Sequence, residues 1–255
     1  MYNHPPESLN GGATTRMLSA ADIPAAMELS TGAGWNQTAA DWATLLLRSP
    51  DTCLCVESDG RLVATTTLVC YATGLGWVGM VLTHPDYRRR GFARALVAQA
   101  LEIARERNVQ TLKLDATDQG RPLYQSLGFV DEQPVERWGW EASASNASDR
   151  PHPRALPEIT EPGGHLLHRA GVRAHYLGPC VADNAATAER LFRRAIDEIG
   201  ANRYFWDLLP ANTAAVALAG KLGFTPVRRL SRMVRGPNPP RDESRNYAIA
   251  GFEWG

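Results

Sequence analysis

Hydrophobic positions recur along this chain at two periods, one of three to four residues and one of two, and the switches between them predict mixed helices and strands. Two capping boxes, Ser19-Ala-Ala-Asp22 and Thr38-Ala-Ala-Asp41, precede apolar stripes at Met27 and Leu29 and at Trp42, Leu45, Leu46 and Leu47. Each predicts a helix, the second stopped by Pro50. Pro24 leaves the start of the first helix open. Val-, Thr- and Leu-rich runs at 52–57 and 61–71, joined by Asp59-Gly60, read as a hairpin. The apolar run 77–82 reads as a buried strand. A helix then extends to about residue 107, with Phe92, Leu96, Ala100, Ile103 and Ala104 on one face. A strand at 109–114, a short helix at 120–127 stopped by Gly128, and a strand running from Phe129 through 135–140 complete this part.

Residues 141–158 are rich in Ser, Ala, Asn and Pro and read as a linker. Beyond them come strand 176–181, helix 184–199, strand 204–209, helix 212–222 and strands 226–234 and 247–254. Leu127-Gly128-Phe129 is echoed by Leu222-Gly223-Phe224, each after a short helix and before a strand. The second part therefore reads as a repeat of the back half of the first. The expected organisation is a flexible leader (1–14), a first domain (15–141), a linker (142–158) and a second domain (159–255), of mixed α/β class.

Composition narrows the function. Lys plus Arg and Asp plus Glu both number 27, giving zero net charge. A nucleic-acid or membrane-surface role would call for a broad basic field. No apolar run reaches the roughly 18 residues of a membrane span. Residues 1–15 lack the apolar region of a signal peptide. The four cysteines show neither zinc spacing nor a disulfide framework and are expected to be reduced core residues of a cytoplasmic protein, with no metal. Cys53 and Cys55 would share one strand face.

The chemistry concentrates at His84-Pro85-Asp86-Tyr87-Arg88-Arg89-Arg90-Gly91-Phe92-Ala93-Arg94. A strand feeding a basic glycine turn and then a helix offers unpaired N–H groups and the positive helix end, which is an anion site. Three arginines oppose the helix dipole there unless an anion is present. His84, before a proline, reads as a turn residue.

Arg88-x-x-Gly91-x-Ala93 after a strand, followed by Leu123-Tyr124-x-x-Leu127-Gly128-Phe129, resembles the GCN5-related N-acetyltransferase (GNAT) superfamily over about residues 15–141. The second half resembles the GNAT-like second domain of a two-domain bacterial subgroup. The resemblance implies two tandem domains, each a mostly antiparallel twisted sheet flanked by helices. It implies acetyl-CoA as cosubstrate, with its pyrophosphate held by Arg88, Arg89, Arg90, Gly91, Phe92, Ala93 and Arg94. Its pantetheine would lie along the free strand edge of Met80, Val81, Leu82 and Thr83, near a bulge, where an N–H near Met80 or Val81 polarises the thioester carbonyl.

The family reaction is attack of an amine on the thioester. Tyr124 is the implied general acid. Asp115 is a candidate base, with a capping role as its alternative, and a water relay stands beside both. Trp35, Asn36, Tyr71 and Trp77 are candidate substrate contacts. The acceptor would be a small-molecule or protein amine, and the protein a monomer or homodimer. The rival reading is a non-catalytic acyl-CoA sensor. In the second half, Gly178-Pro-Cys-Val-Ala-Asp183-Asn184 replaces the arginine turn and Ala219 stands where the first half has Tyr124. That half is expected to be catalytically silent, leaving one cofactor site.

Overall fold

The computed structural model describes residues 8–9, 12–142 and 158–255. The expected leader lies largely, and the linker almost wholly, outside the described residues. The first half runs β1 (Thr14–Met17), α1 (Ile23–Gly32), α2 (Ala39–Arg48), β2 (Cys53–Ser58), β3 (Arg61–Cys70), β4 (Leu75–Thr83), α3 (Phe92–Glu106), β5 (Thr111–Ala116), α4 (Arg121–Ser126) and β6 (Val130–Glu141). The second runs β7 (Glu158–Glu161), β8 (Gly164–Arg169), β9 (His175–Ala182), α5 (Ala185–Ile199), β10 (Arg203–Leu208), α6 (Thr213–Lys221), β11 (Thr225–Arg235) and β12 (Asn246–Ala248). The mixed α/β class with a mostly antiparallel sheet flanked by helices is as expected.

The predicted box at Thr38 caps α2, whereas the one at Ser19 opens a short 3-10 turn, Ala20–Asp22, and α1 follows from Ile23. Thr38 accepts from the Asp41 amide while the Asp41 carboxylate accepts from the Thr38 amide at 2.7 Å. Pro24 sits in the first turn of α1, where its missing N–H costs nothing. Three strands escape the sequence pattern. β1 is short and polar, and β7–β8 is a hairpin turned at Pro162-Gly163. The strand predicted at 247–254 is curtailed to β12, because the chain turns back at Gly251, whose carbonyl accepts from the amides of Trp254 and Gly255.

Strands from both halves form one sheet among the described residues, in the order β1-β2-β3-β4-β5-β11-β6-β10-β9-β8-β7, with β12 added on β9. The strand that follows each Leu-Gly-Phe echo crosses to the other half. β11 pairs with β5, β6 pairs with β10, and the two pair with each other. Neither half ends in an open edge at the join, which removes a hazard of exposed strands.

Each crossing strand is riveted by an ion pair. Arg232 on β11 holds Asp115 on β5 bidentately at 2.9 and 3.0 Å; Arg137 on β6 holds Asp207 on β10 at 2.7 and 2.6 Å. Both aspartates are fully buried. Burial pushes the Asp115 carboxyl up, and the Arg232 guanidinium opposes that shift. The same contact holds Arg232 protonated against its own burial. Strand alternation sends Leu54 and Val56 to the α3 side and Cys53 and Cys55 to the α1–α2 side with Trp42 and Leu45. Burial raises the Cys53 and Cys55 thiols to about 12.

Candidate active site

β4 and β5 run parallel only from Leu75/Thr111 to Trp77/Lys113. β11 covers the opposite edge of β5 along residues 112–116, so beyond Trp77/Lys113 the facing edges of β4 and β5 have no strand partner among the described residues. Between the pairs Thr65↔Leu82 and Thr67↔Gly79, β4 carries one extra residue. Met80 takes up the bulge in the left-handed region at φ 49°, and its carbonyl accepts from the Thr65 hydroxyl at 2.8 Å. The bulge and the splay open a cleft of about 1030 Å³.

One end of the cleft is the arginine turn. Arg89 (φ 63°) and Gly91 (φ 87°) are both left-handed, and Gly91 caps α3 with no side-chain acceptor for the first amides. These donors face the cleft with Arg88, Arg89, Phe92, Ala93 and Arg94 around them. The cradle fits a pyrophosphate. Arg90 does not line the cleft; it lies over the Tyr87 ring at 4.6 Å and donates to the Asp86 carbonyl. His84 accepts from the Asp86 amide, a turn contact. Met80, Val81, Leu82 and Thr83 form the adjoining wall.

Tyr124 reaches the same cleft from α4 and is 7% exposed. Its hydroxyl makes no hydrogen bond among the described residues, and burial raises its pKa well above the phenol range. Asp115 also borders the cleft, but both its oxygens are taken by Arg232. Its position is explained by the strand exchange, in which it is the bidentate partner of Arg232.

The other end of the cleft is built by both halves. Glu28, Leu29, Trp35 and Gln37 face Arg137, Arg228, Leu230, Phe252 and Glu253. Of the four expected substrate residues, only Trp35 is at the cleft. Asn36 is buried and clips the halves together: its amide donates to the Ala174 carbonyl, and its oxygen accepts from the amides of Arg173 and Ala174. Trp77 donates to the Phe252 carbonyl at 2.8 Å and Tyr71 to the Trp254 carbonyl at 2.6 Å. These three hold the C-terminal segment and the second half instead of lining the cleft. Gly79 permits the segment's approach, since a Cβ there would stand 3.1 Å from the Glu253 carbonyl oxygen.

The second half repeats the splay and fills it. β9 and β10 pair in parallel only at His175/Tyr204 to Leu177/Trp206. Into the gap beyond runs β12, which pairs with Cys180 and Val181. Trp206 donates to the Tyr247 carbonyl and Ile249 donates to the Asp207 carbonyl. The N-terminus of α5 is closed by Asn184, which accepts from the Thr187 amide, with Asp183 paired to Arg245 beside it. The chain's own tail thus lies where the first half leaves its strand edge open.

Residues 22–129 match the acetyltransferase (GNAT) family and residues 158–248 match an acetyltransferase (GNAT) domain. The chain belongs to the GNAT acetyltransferase family and carries two such domains in tandem. Glucosamine 6-phosphate N-acetyltransferase of Trypanosoma brucei brucei is 28% identical over 81 residues, covering 29% of this chain and 55% of that protein. The chain thus spans about half the length of the curated relatives it matches. Among solved structures, a Pyrococcus horikoshii protein described as an acetyltransferase superposes with a TM-score of 0.82 at 21% identity, over 100% of this chain and 99% of that one. A tandem GNAT protein from the clavulanic acid biosynthesis pathway gives 0.61 at 16% identity, over 90% and 100%. These two establish likeness of fold. Among the described residues no helix is long and apolar enough to cross a membrane.

Proposed function

We propose that the protein is an acetyl-CoA-dependent N-acetyltransferase with one working site, in the first half. The observation that carries this reading is one cleft joining an uncapped, basic helix start, a splayed and bulged β4 edge, and the Tyr124 hydroxyl.

The pyrophosphate rests on the amides at the start of α3, aided by Arg88 and Arg89. Pantetheine runs along Leu82 and Thr83. The Val81 amide, turned by the Met80 bulge, polarises the thioester carbonyl as a neutral amine attacks it. The C–N bond forms as the C–S bond breaks, and Tyr124 gives its proton to the leaving thiolate. The thiolate of a thiol with ordinary pKa near ~8.5 is a modest base, so this help is useful without being obligatory, and the Tyr124 phenolate regains its proton from water. With Asp115 held by Arg232, water carries the proton away from the amine. The acceptor is a primary amine of a small molecule or protein, entering between Trp35 and the strands of the second half.

Ala93→Glu tests the assignment. Position 93 is helical, so glutamate fits the backbone but places a carboxylate where phosphate would lie. CoA binding by calorimetry should be lost at wild-type melting temperature; retained binding refutes the site. CoA release with an amine panel separates the enzyme from the acyl-CoA sensor, which would bind without turnover.

A further inference from the structure

We propose that the acceptor is an anionic amine whose carboxylate or phosphate is held by Arg228. The proposal rests on the acetyltransferase reading for the reaction, and on the following geometry for the anion.

β11 presents Arg228, Leu230 and Arg232 in alternation with Arg229 and Ser231, and across the ladder Arg228 stands opposite Arg137. Like charges directly opposite on a sheet are unfavourable. Two of these three guanidiniums are neutralised within the fold: Arg232 by Asp115 and Arg137 by Asp207, both bidentately. Arg228 makes no ion pair or hydrogen bond among the described residues. It is half-buried, and burial together with the Arg137 and Arg173 guanidiniums disfavours its charge, against the field of an Asp207 already engaged by Arg137. The Arg173 guanidinium is turned to the Gly34 carbonyl and brings no carboxylate with it.

The nearby acids are spent. Glu253 accepts from Arg169 and Gln37, and Asp41 is paired with Arg169. Glu28, at the same end of the cleft, is exposed on α1 and forms no ion pair with Arg228. An uncompensated, partly desolvated cation is costly unless a counter-ion arrives. Arg228 opens into the acceptor end of the cleft beside Leu230, Phe252 and Trp35. The planar guanidinium with several donors suits an oxyanion held two-point, while the apolar neighbours suit the carbon skeleton between anion and amine. The first-half motifs carry none of this, because the residue comes from the second half's crossing strand.

The test compares the wild type, Arg228→Gln, Arg228→Lys and the control Arg229→Gln, which alters an exposed arginine on the opposite face. CoA release is measured with acetyl-CoA and three acceptor sets: α- and ω-amino acids, amino-alcohol phosphates, and uncharged or polycationic amines. Anionic acceptors should give the higher kcat/KM. Arg228→Gln should raise their KM by roughly ten- to a hundredfold, the range for losing hydrogen bonds to a charged group. Uncharged acceptors should change little, and lysine should rescue in part. The better of the first two sets identifies the anion as carboxylate or phosphate. A structural arginine would lower the melting temperature when removed; an unpaired one should leave it unchanged or raise it.

Binding of the N-acetylated amino acids and the N-acetylated amino-alcohol phosphates to CoA-loaded protein is measured in parallel. Binding that depends on Arg228 with no turnover on any amine would end the acetyltransferase reading and keep the anion site. Turnover indifferent to acceptor charge and to Arg228→Gln, or binding unchanged in that variant, would overturn the anion site and leave the acetyltransferase reading standing.

Discussion

Asp115→Ala separates a structural carboxylate from a catalytic one. The substitution strands Arg232, whose side chain is 7% exposed and whose partner's is fully buried. Removing one member of a buried, hydrogen-bonded pair costs about 3–5 kcal/mol, because the remaining charge is left without compensation. For a chain of this size a kilocalorie moves the melting temperature by about 2–4 °C, so the drop should be roughly 6–20 °C. Thermal melts followed by circular dichroism, with urea titrations as a check, measure it. Asp115→Leu combined with Arg232→Met should recover most of the loss, since an apolar pair of similar volume replaces a buried ion pair at little cost. Asp207→Ala, at the matching rivet, should behave like Asp115→Ala. A single variant within about 1 kcal/mol of the wild type, well below that range, would refute the reasoning. So would a double variant no more stable than the single one. A low kcat at unchanged melting temperature would restore Asp115 as a base.

Tyr124→Phe should lower kcat while CoA affinity holds, in a paired kinetic and calorimetric measurement. Because burial raises the Tyr124 pKa, the acid form persists through alkaline pH, and the pH–rate profile should show no fall due to this group near its ordinary value of 10.0. Removing residues 250–255 should raise the acceptor KM and spare CoA binding, since Phe252 and Glu253 wall only the acceptor end; weakened CoA binding would contradict that division. Calorimetry should count one CoA per chain, because β12 fills the second splay; two would show that the tail yields. Asp22, held at about 2 chiefly by its hydrogen bond to Arg16, contributes stability present above about 3.8 and lost as pH falls toward 2. Asp22→Asn should flatten that acid limb in melts run between pH 5 and 2, and an unchanged limb would place the loss elsewhere.

The arginine-glycine turn and the Tyr124 helix that line the cleft were largely legible in the chain. Apolar periodicity, a glycine before a helix and the Leu-Tyr-x-x-Leu-Gly-Phe spacing are local features, and local backbone geometry makes a phosphate cradle. Caps and most strands followed for the same reason. What the chain could not disclose is which strand lies beside which. The Leu-Gly-Phe echo extended further than its three residues: Arg137 and Arg232 each stand eight positions beyond the phenylalanine of their copy. That regularity was a signal of the exchanged rivets, but two arginines gain meaning only once their aspartates are found on the opposite half. Strand exchange took Asp115 out of consideration as a free base and brought Arg137 and Arg228 to the acceptor end. The second half's 173–174 backbone gave Asn36 its partners, while the tail's return at Gly251 gave Tyr71 and Trp77 theirs and added Phe252 and Glu253 to the wall. Pairing over such sequence separations depends on complementary edges and buried charges meeting in space, so the sequence alone determined the basic glycine turn that opens α3, and the tertiary structure decided what would face it.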